Sequence, residues 1–174
     1  MAEKKALMII DTQVGLVELP VWGVDQLLSN LKTLLTKARE AGITVVYVQD
    51  GDVAPEGTRE WEVHPDISPN EGDIRIQKFA TDAFHGTDLH EELKAQGITD
   101  LVVGGCKTEY CVDTACRRAT TLGYNVTLVS DAHSTTDDEV LSAEQIIAHH
   151  NCNLHGLDNL EHYIQVQPTN EIQF

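Results

Sequence analysis

An α/β fold, a mainly parallel open sheet with helices on both faces, is what this sequence predicts, and three observations point to it. Short apolar runs of strand length recur along the chain, each closed by a polar residue or glycine. Amphipathic stretches of helical period separate them. Strand and helix alternate from end to end, the pattern of a three-layer α/β/α, Rossmann-like sheet rather than of segregated strands and helices. With 174 residues and 41% hydrophobic content, the chain reads as one domain over 1–174, able to build a core without disulfides or metals.

The elements follow in order. Ala6-Leu7-Met8-Ile9-Ile10 is apolar at every position and stops at Asp11, as a central parallel strand buried on both faces would. Residues 24–41 put Leu27, Leu28, Leu31, Leu34, Leu35 and Ala38 on one helical stripe, with Gly42 as its C-terminal stop. Thr44-Val45-Val46-Tyr47-Val48 is β-branched and completes a β-α-β unit. Residues 50–73 contain Pro55, Gly57, Pro65, Pro69 and Gly72 with no sustained period, a connection long enough to be functional or disordered. Trp61 and His64 inside it favour a packed, substrate-covering loop, with His64 structural. Ile74-Arg75-Ile76-Gln77-Lys78 alternates as a short strand, and Thr87 can cap a helix carrying Leu89 and Leu93 that Gly97 stops. Leu101-Val102-Val103 is predicted as a strand ending at Gly104-Gly105. A helix over 110–122 turns Val112, Ala115, Cys116 and Ala119 to the core, and Asn125-Val126-Thr127-Leu128-Val129 is strand again, ending at Asp131. A helix over 142–150 and a strand over 163–166 complete the pattern.

Charge excludes some partners. The formal net charge is −16 and no basic run exists, so neither nucleic acid nor an anionic membrane is an expected partner. Met1-Ala2-Glu3-Lys4-Lys5 lacks the long apolar segment of a signal peptide, and no run approaches transmembrane length. A cytoplasmic location with reduced cysteines is therefore expected. Cys106, Cys111, Cys116 and Cys152 form no CxxC pair, which leaves zinc-ribbon and thioredoxin readings unsupported.

The chemistry concentrates at predicted strand ends. Cys111 stands where a helix begins, a setting that favours thiolate through the helix dipole. Asp11 ends the first strand and Lys78 the third, at the edge where open α/β sheets bind ligands. An acid, a cation and a thiol there make a site for nucleophilic acyl transfer, provided the strand order brings them together. Cys106, Cys116 and Cys152 read as small hydrophobes. His149, His150, Cys152 and His155 do not read as a metal site, because adjacent helical residues point about 100° apart.

With these residues in view, the chain resembles the isochorismatase-like cysteine hydrolases, which include nicotinamidases and N-carbamoylsarcosine amidase. The resemblance runs through Ala6-Leu7-Met8-Ile9-Ile10-Asp11-Thr12-Gln13, Gln77-Lys78-Phe79, Asp82-Ala83-Phe84, Gly105-Cys106-Lys107-Thr108-Glu109-Tyr110-Cys111-Val112, Gly123-Tyr124-Asn125-Val126 and Asp131-Ala132-His133, in that order. It implies a catalytic triad of Asp11, Lys78 and Cys111. It also implies a cis peptide between Cys106 and Lys107, and an oxyanion hole formed by the N–H groups of Lys107 and Cys111. Gln13, Trp61, Phe84, Thr108 and Tyr110 become candidates for contact with a small-molecule substrate, although the aromatic residues also suit a core. The nicotinamidase branch binds metal through an aspartate and histidines after its second strand. Asp50-Gly51-Asp52 here has no histidine pair, so the resemblance implies neither a metal nor another cofactor, and argues against nicotinamidase. It points to hydrolysis of an amide, lactam or ureido C–N bond through a thioester on Cys111. Two alternatives stand beside it: isochorismatase action on a vinyl ether, releasing pyruvate, and a non-catalytic binding protein. A homodimer or homotetramer is expected, and the loop over 50–73 is a candidate to meet a neighbouring subunit.

Overall fold

The structure, a computed structural model, describes residues 3–174. Seven strands form one sheet: β1 (Lys5–Ile10), β2 (Thr44–Asp50), β3 (Ile74–Lys78), β4 (Asp100–Cys106), β5 (Asn125–Ser134), β6 (Asp158–Asn159) and β7 (His162–Gln167). Their order is β3-β2-β1-β4-β5-β7-β6, parallel throughout except for the terminal β6–β7 hairpin. The helices are α1 (Val14–Val17), α2 (Val24–Glu40), α3 (Leu89–Ala95), α4 (Asp113–Thr121) and α5 (Ala143–Leu154). Among the described residues no helix is long and apolar enough to cross a membrane.

The continuous apolar run of β1 is explained by burial on both sides. Ala6, Met8 and Ile10 face the core shared with Leu89 and Leu93 of α3 and Ala115, Cys116 and Ala119 of α4. Leu7 and Ile9 face the opposite core, filled by Leu27, Leu28, Leu31, Leu34, Leu35 and Ala38 of α2. Each fully buried leucine of that stripe contributes about 1.5–3 kcal/mol by leaving water. Gly42 closes α2 with φ +67, a left-handed backbone that a side chain would oppose. Residues 50–73 pack rather than hang free: Trp61, Val63 and Ile67 are buried, Val63 bridges Gln13, and the Tyr47 hydroxyl donates to the Ile67 carbonyl at 2.8 Å. His64 caps a short 3-10 turn, Pro65–Ile67, by accepting from the Asp66 N–H.

Several boundaries differ from those predicted. β4 does not stop at its glycines but runs through them to Cys106. A Cβ on Gly104 would stand 2.6 Å from the Ala132 carbonyl oxygen, and one on Gly105 would stand 2.0 Å from that of Ile10. The glycines are therefore what lets β4 lie between β1 and β5 at this level, so their turn-like look in sequence was misleading. β5 continues past Asp131 to Ser134, with a register shift against β4 between Val103 and Gly105. The helix predicted from 110 begins as a π-helical turn, Thr108–Val112, that runs into α4. Ser142 and Gln145 close a capping box on α5, which extends to Leu154, beyond the predicted end. Thr87 accepts from the Leu89 N–H at the start of α3.

Gly105→Ala is expected to lower stability by at least about 2 kcal/mol in urea melts, because it adds both a backbone clash and a φ of +123. Gly156→Ala, with φ +81 but nothing within 4 Å of the added carbon, isolates the strain component at about 1–2 kcal/mol.

Candidate active site

The strand order puts β1 between β2 and β4, so the chain goes one way from β1 to β2 and β3 and the other way to β4 and β5. The carboxyl ends at this switch point carry Asp11, Asp50, Lys78 and the turn bearing Cys111. The Lys78 ammonium is the hub. It lies 2.9 Å from Asp11 Oδ2, 2.5 Å from Asp50 Oδ2 and 3.3 Å from Cys111 Sγ. Its side chain is fully buried, and that of Asp11 is nearly so. The three residues singled out by sequence therefore meet.

Asp50 joins them although it was not singled out. Its place follows from register, because β2 and β3 pair Asp50 directly with Lys78. The signal was present as an acidic residue closing β2 in the way Asp11 closes β1. Asp11 itself has φ +47, a strained backbone for a side-chain-bearing residue, with its N–H held by the Val48 carbonyl at 2.9 Å. Such strain gathers where a side chain has to be aimed.

The electrostatics set a definite resting state. Burial raises the Asp11 carboxyl to about 6, while Lys78 and Cys111 hold it from rising further. It is ionised at neutral pH. Burial pulls Lys78 down, but the charge of Asp11 and the bond to Asp50 outweigh it and keep the amine above its ordinary value. Burial, then the neighbouring Asp11 charge, push the Cys111 thiol up to about 12 against the pull of Lys78. The thiolate favoured by the helix start is thus corrected: in the resting site the thiol keeps its proton, because desolvation next to a carboxylate exceeds what the dipole and Lys78 return. Asp11 Oδ1 is buried without a hydrogen-bond partner, which leaves an acceptor free.

The Cys106–Lys107 peptide is cis. The N–H groups of Tyr110 and Val112 both close on the Lys107 carbonyl at 3.2 Å, winding the turn that carries Cys111. Lys107 reaches Thr136, and Thr135 donates to Glu109, so this turn is tied to the end of β5.

The expected substrate contacts divide. Tyr110 is exposed beside Cys111, 57% of its surface open. Gln13 is buried, and its amide is spent on the Asp50 backbone, donating to the carbonyl at 3.0 Å and accepting from the N–H at 2.7 Å. Gln13 therefore holds the end of β2. Phe84 stacks on Tyr124 with ring centroids 6.2 Å apart and faces the core. Thr108 is fully buried, its hydroxyl turned to His133. Trp61 lies buried in the loop over 50–73, with its indole N–H unpartnered. Phe79 lies across the Gly51 backbone, where a Cβ would meet its ring at 2.2 Å.

Among the described residues, Asp11, Asp50 and Cys111 form the group whose donor atoms converge, all within 4.8 Å of one another. A cation at that point would compete with the Lys78 ammonium already bonded to all three. His149, His150, Cys152 and His155 are not part of any such group.

The isochorismatase domain family matches residues 5–149. The chain belongs to the isochorismatase family. Within it, a streptothricin hydrolase of Streptomyces noursei is 35% identical over 139 residues, 76% of this chain and 50% of that protein. The chain thus spans about half the length of that relative. A ureidoacrylate amidohydrolase of Caulobacter vibrioides is 27% identical over 181 residues, covering 79% of this chain and 80% of its own length. The crystal structure of an isochorismatase from Pseudomonas putida superposes with a TM-score of 0.85 at 30% identity, over 98% of this chain and 92% of that one.

Lys78→Met leaves two carboxylates facing each other in a buried site. It is expected to destabilise the fold by about 3–5 kcal/mol in denaturant melts, with part of the loss recovered by adding Asp50→Asn.

Proposed function

We propose that this chain is a cysteine hydrolase that cleaves an amide, lactam or ureido C–N bond of a small molecule through a thioester on Cys111. The observation that carries the reading is the buried Lys78 ammonium touching Asp11, Asp50 and Cys111 Sγ at once. Burying a lysine with two carboxylates is costly for a fold that needs only a core, and the cluster lies at the switch point beside a half-buried thiol. The amidohydrolase among the relatives supports the same bond class.

The chemistry follows from the resting charges. Ionised Asp11 takes the thiol proton as Sγ attacks the carbonyl carbon, so general base catalysis replaces a preformed thiolate. Lys78 stays charged and keeps acid and sulfur in contact. The carbonyl oxygen gains the negative charge and rests on the N–H groups of Lys107 and Cys111. When the tetrahedral species collapses, the C–N bond breaks, and the nitrogen leaves with the proton that Asp11 returns. A water molecule, deprotonated by Asp11, attacks the thioester, releases the acid and restores the thiol.

Charge favours this reading over vinyl-ether cleavage of a dicarboxylate. Lys78 is committed to two carboxylates, so the cluster carries one net negative charge. Arg59 is paired with Glu18. Arg75 sits three residues before Lys78 on β3, about 10 Å behind the edge at strand rise. A pure binding role leaves the buried cluster without a purpose.

Cys111→Ala is expected to abolish turnover across a panel of amides, ureas and lactams, while wild-type protein incubated with a substrate shows an acyl adduct on Cys111 by mass spectrometry. Turnover by the variant would overturn the proposal. The rate kcat/KM is expected to be level above pH 6 and to fall about tenfold per unit below it, as the cluster takes up a proton on Asp11. The effect on stability has the opposite sign. The folded value of about 6 lies above the ordinary aspartate value of 3.8, so Asp11 contributes most to stability below 3.8 and loses that contribution as pH rises through 6. Activity that falls in step with unfolding would refute the assignment.

A further inference from the structure

The turn that carries Lys107 and Cys111 is anchored from behind by a histidine with no place in the chemistry above. His133, on β5, is 3% exposed, and Thr108, the first residue of the turn, is fully buried. His133 Nδ1 lies 2.9 Å from Thr108 Oγ1, and His133 Nε2 lies 2.9 Å from Asn151 Oδ1 on α5. Asn151 Nδ2 donates to the Ser130 carbonyl at 3.0 Å.

This chain of bonds has one consistent assignment of protons. A backbone carbonyl only accepts, so Ser130 fixes the Asn151 amide with Nδ2 toward itself and Oδ1 toward His133. Oδ1 also only accepts, so the imidazole proton is on Nε2 and Nδ1 offers a lone pair. The Thr108 hydroxyl then has to donate to Nδ1. Burial lowers His133 to about 4, with the bond to Asn151 opposing that shift, so the ring is neutral and able to accept at neutral pH.

We infer that His133 is a positioning residue: by accepting from Thr108 it holds the Lys107–Thr108 segment, and with it the Lys107 N–H, in place for the oxyanion. The inference rests on the catalytic reading of Cys111 and Lys107 given above. The relay joins three elements that sequence keeps apart, the turn after β4, the end of β5 and the last turn of α5. It fixes the backbone and leaves the thiol proton to Asp11, so it acts on carbonyl attack and not on the reactivity of sulfur as such. A cavity of about 310 Å³ lies behind it, between the start of α2 and α5, bordered by Trp22, Ile147, His133 and Asn151. That space admits a free imidazole.

The test uses acylation of the whole protein by p-nitrophenyl acetate, read as nitrophenolate release, beside alkylation of Cys111 by iodoacetamide, which forms no oxyanion. His133→Gln puts its amide where Nε2 stood and loses the acceptor for Thr108. Acylation is expected to slow about 10- to 100-fold, the effect of a misplaced group on a catalytic rate, with the half-saturating concentration unchanged. His133→Asn keeps an oxygen near the Nδ1 position and is expected to stay within about threefold of wild type. Thr108→Val, which exchanges the hydroxyl for a methyl, is expected to match His133→Gln, and the double variant to be no slower than either. Imidazole added to His133→Ala is expected to restore part of the rate. Alkylation of Cys111 is expected to stay at the wild-type rate throughout. Should His133→Gln fail to fold, Thr108→Val carries the test alone. The inference is overturned if both variants acylate at the wild-type rate, if Asn and Gln at position 133 lose rate equally, or if alkylation falls in parallel with acylation. Wild-type protein that is not acylated at Cys111 overturns the catalytic reading first, and the relay with it.

Discussion

A lysine ammonium with no access to water is the constraint around which this molecule is arranged. Lys78 cannot be buried alone, since taking an unpaired ion out of water costs several kcal/mol. Two carboxylates and a thiol surround it, and each arrives from a different part of the chain. The second carboxylate changes the balance of the site. With Asp11 alone, the pair would be neutral. With Asp50 added, the cluster carries one net negative charge and the amine stays charged, while burial, opposed chiefly by Lys78, raises Asp11 to about 6, poised to exchange a proton near neutrality. A group that is ionised at rest and readily protonated is what a general base requires.

That arrangement depends on the sheet more than on any local motif. Parallel pairing of β2 with β3 sets Asp50 opposite Lys78, and β1 and β4 lie side by side so that Asp11 and the Cys111 turn share an edge. Gly104 and Gly105 make this possible, because a side chain at either would separate β4 from its neighbours. The turn is then fastened three times to the end of β5, through Lys107 and Thr136, through Glu109 and Thr135 and through Thr108 and His133. Rigid elements on every side hold a site whose groups have little room to drift.

Most of the fold was legible in the chain because strands buried on both faces have to be apolar at every position and α2 has to present one stripe. β1, α2 and β3 were readable within about a residue or two. The errors share a cause. Gly104-Gly105 looks like a turn by local preference and is strand by packing, and β5 looks complete at Asp131 because its last residues are polar. Those residues pass beside the Cys111 turn, where polar side chains have partners to meet. Gln13, Phe84 and Thr108 were singled out by neighbourhood in sequence, yet their side chains turn to the Asp50 backbone, Tyr124 and His133. Direction of a side chain is a tertiary property.

The sequence by itself singled out the three candidate groups: Asp11 and Lys78 close predicted strands, and Cys111 opens the helix that follows another. Only the tertiary structure decided that they meet, that Asp50 completes the set, and that the thiol holds its proton at rest. The reason is physical. Strand order and register are settled by long-range pairing, and a pKa is settled by how much water and which charges remain around a group once the chain has closed over it.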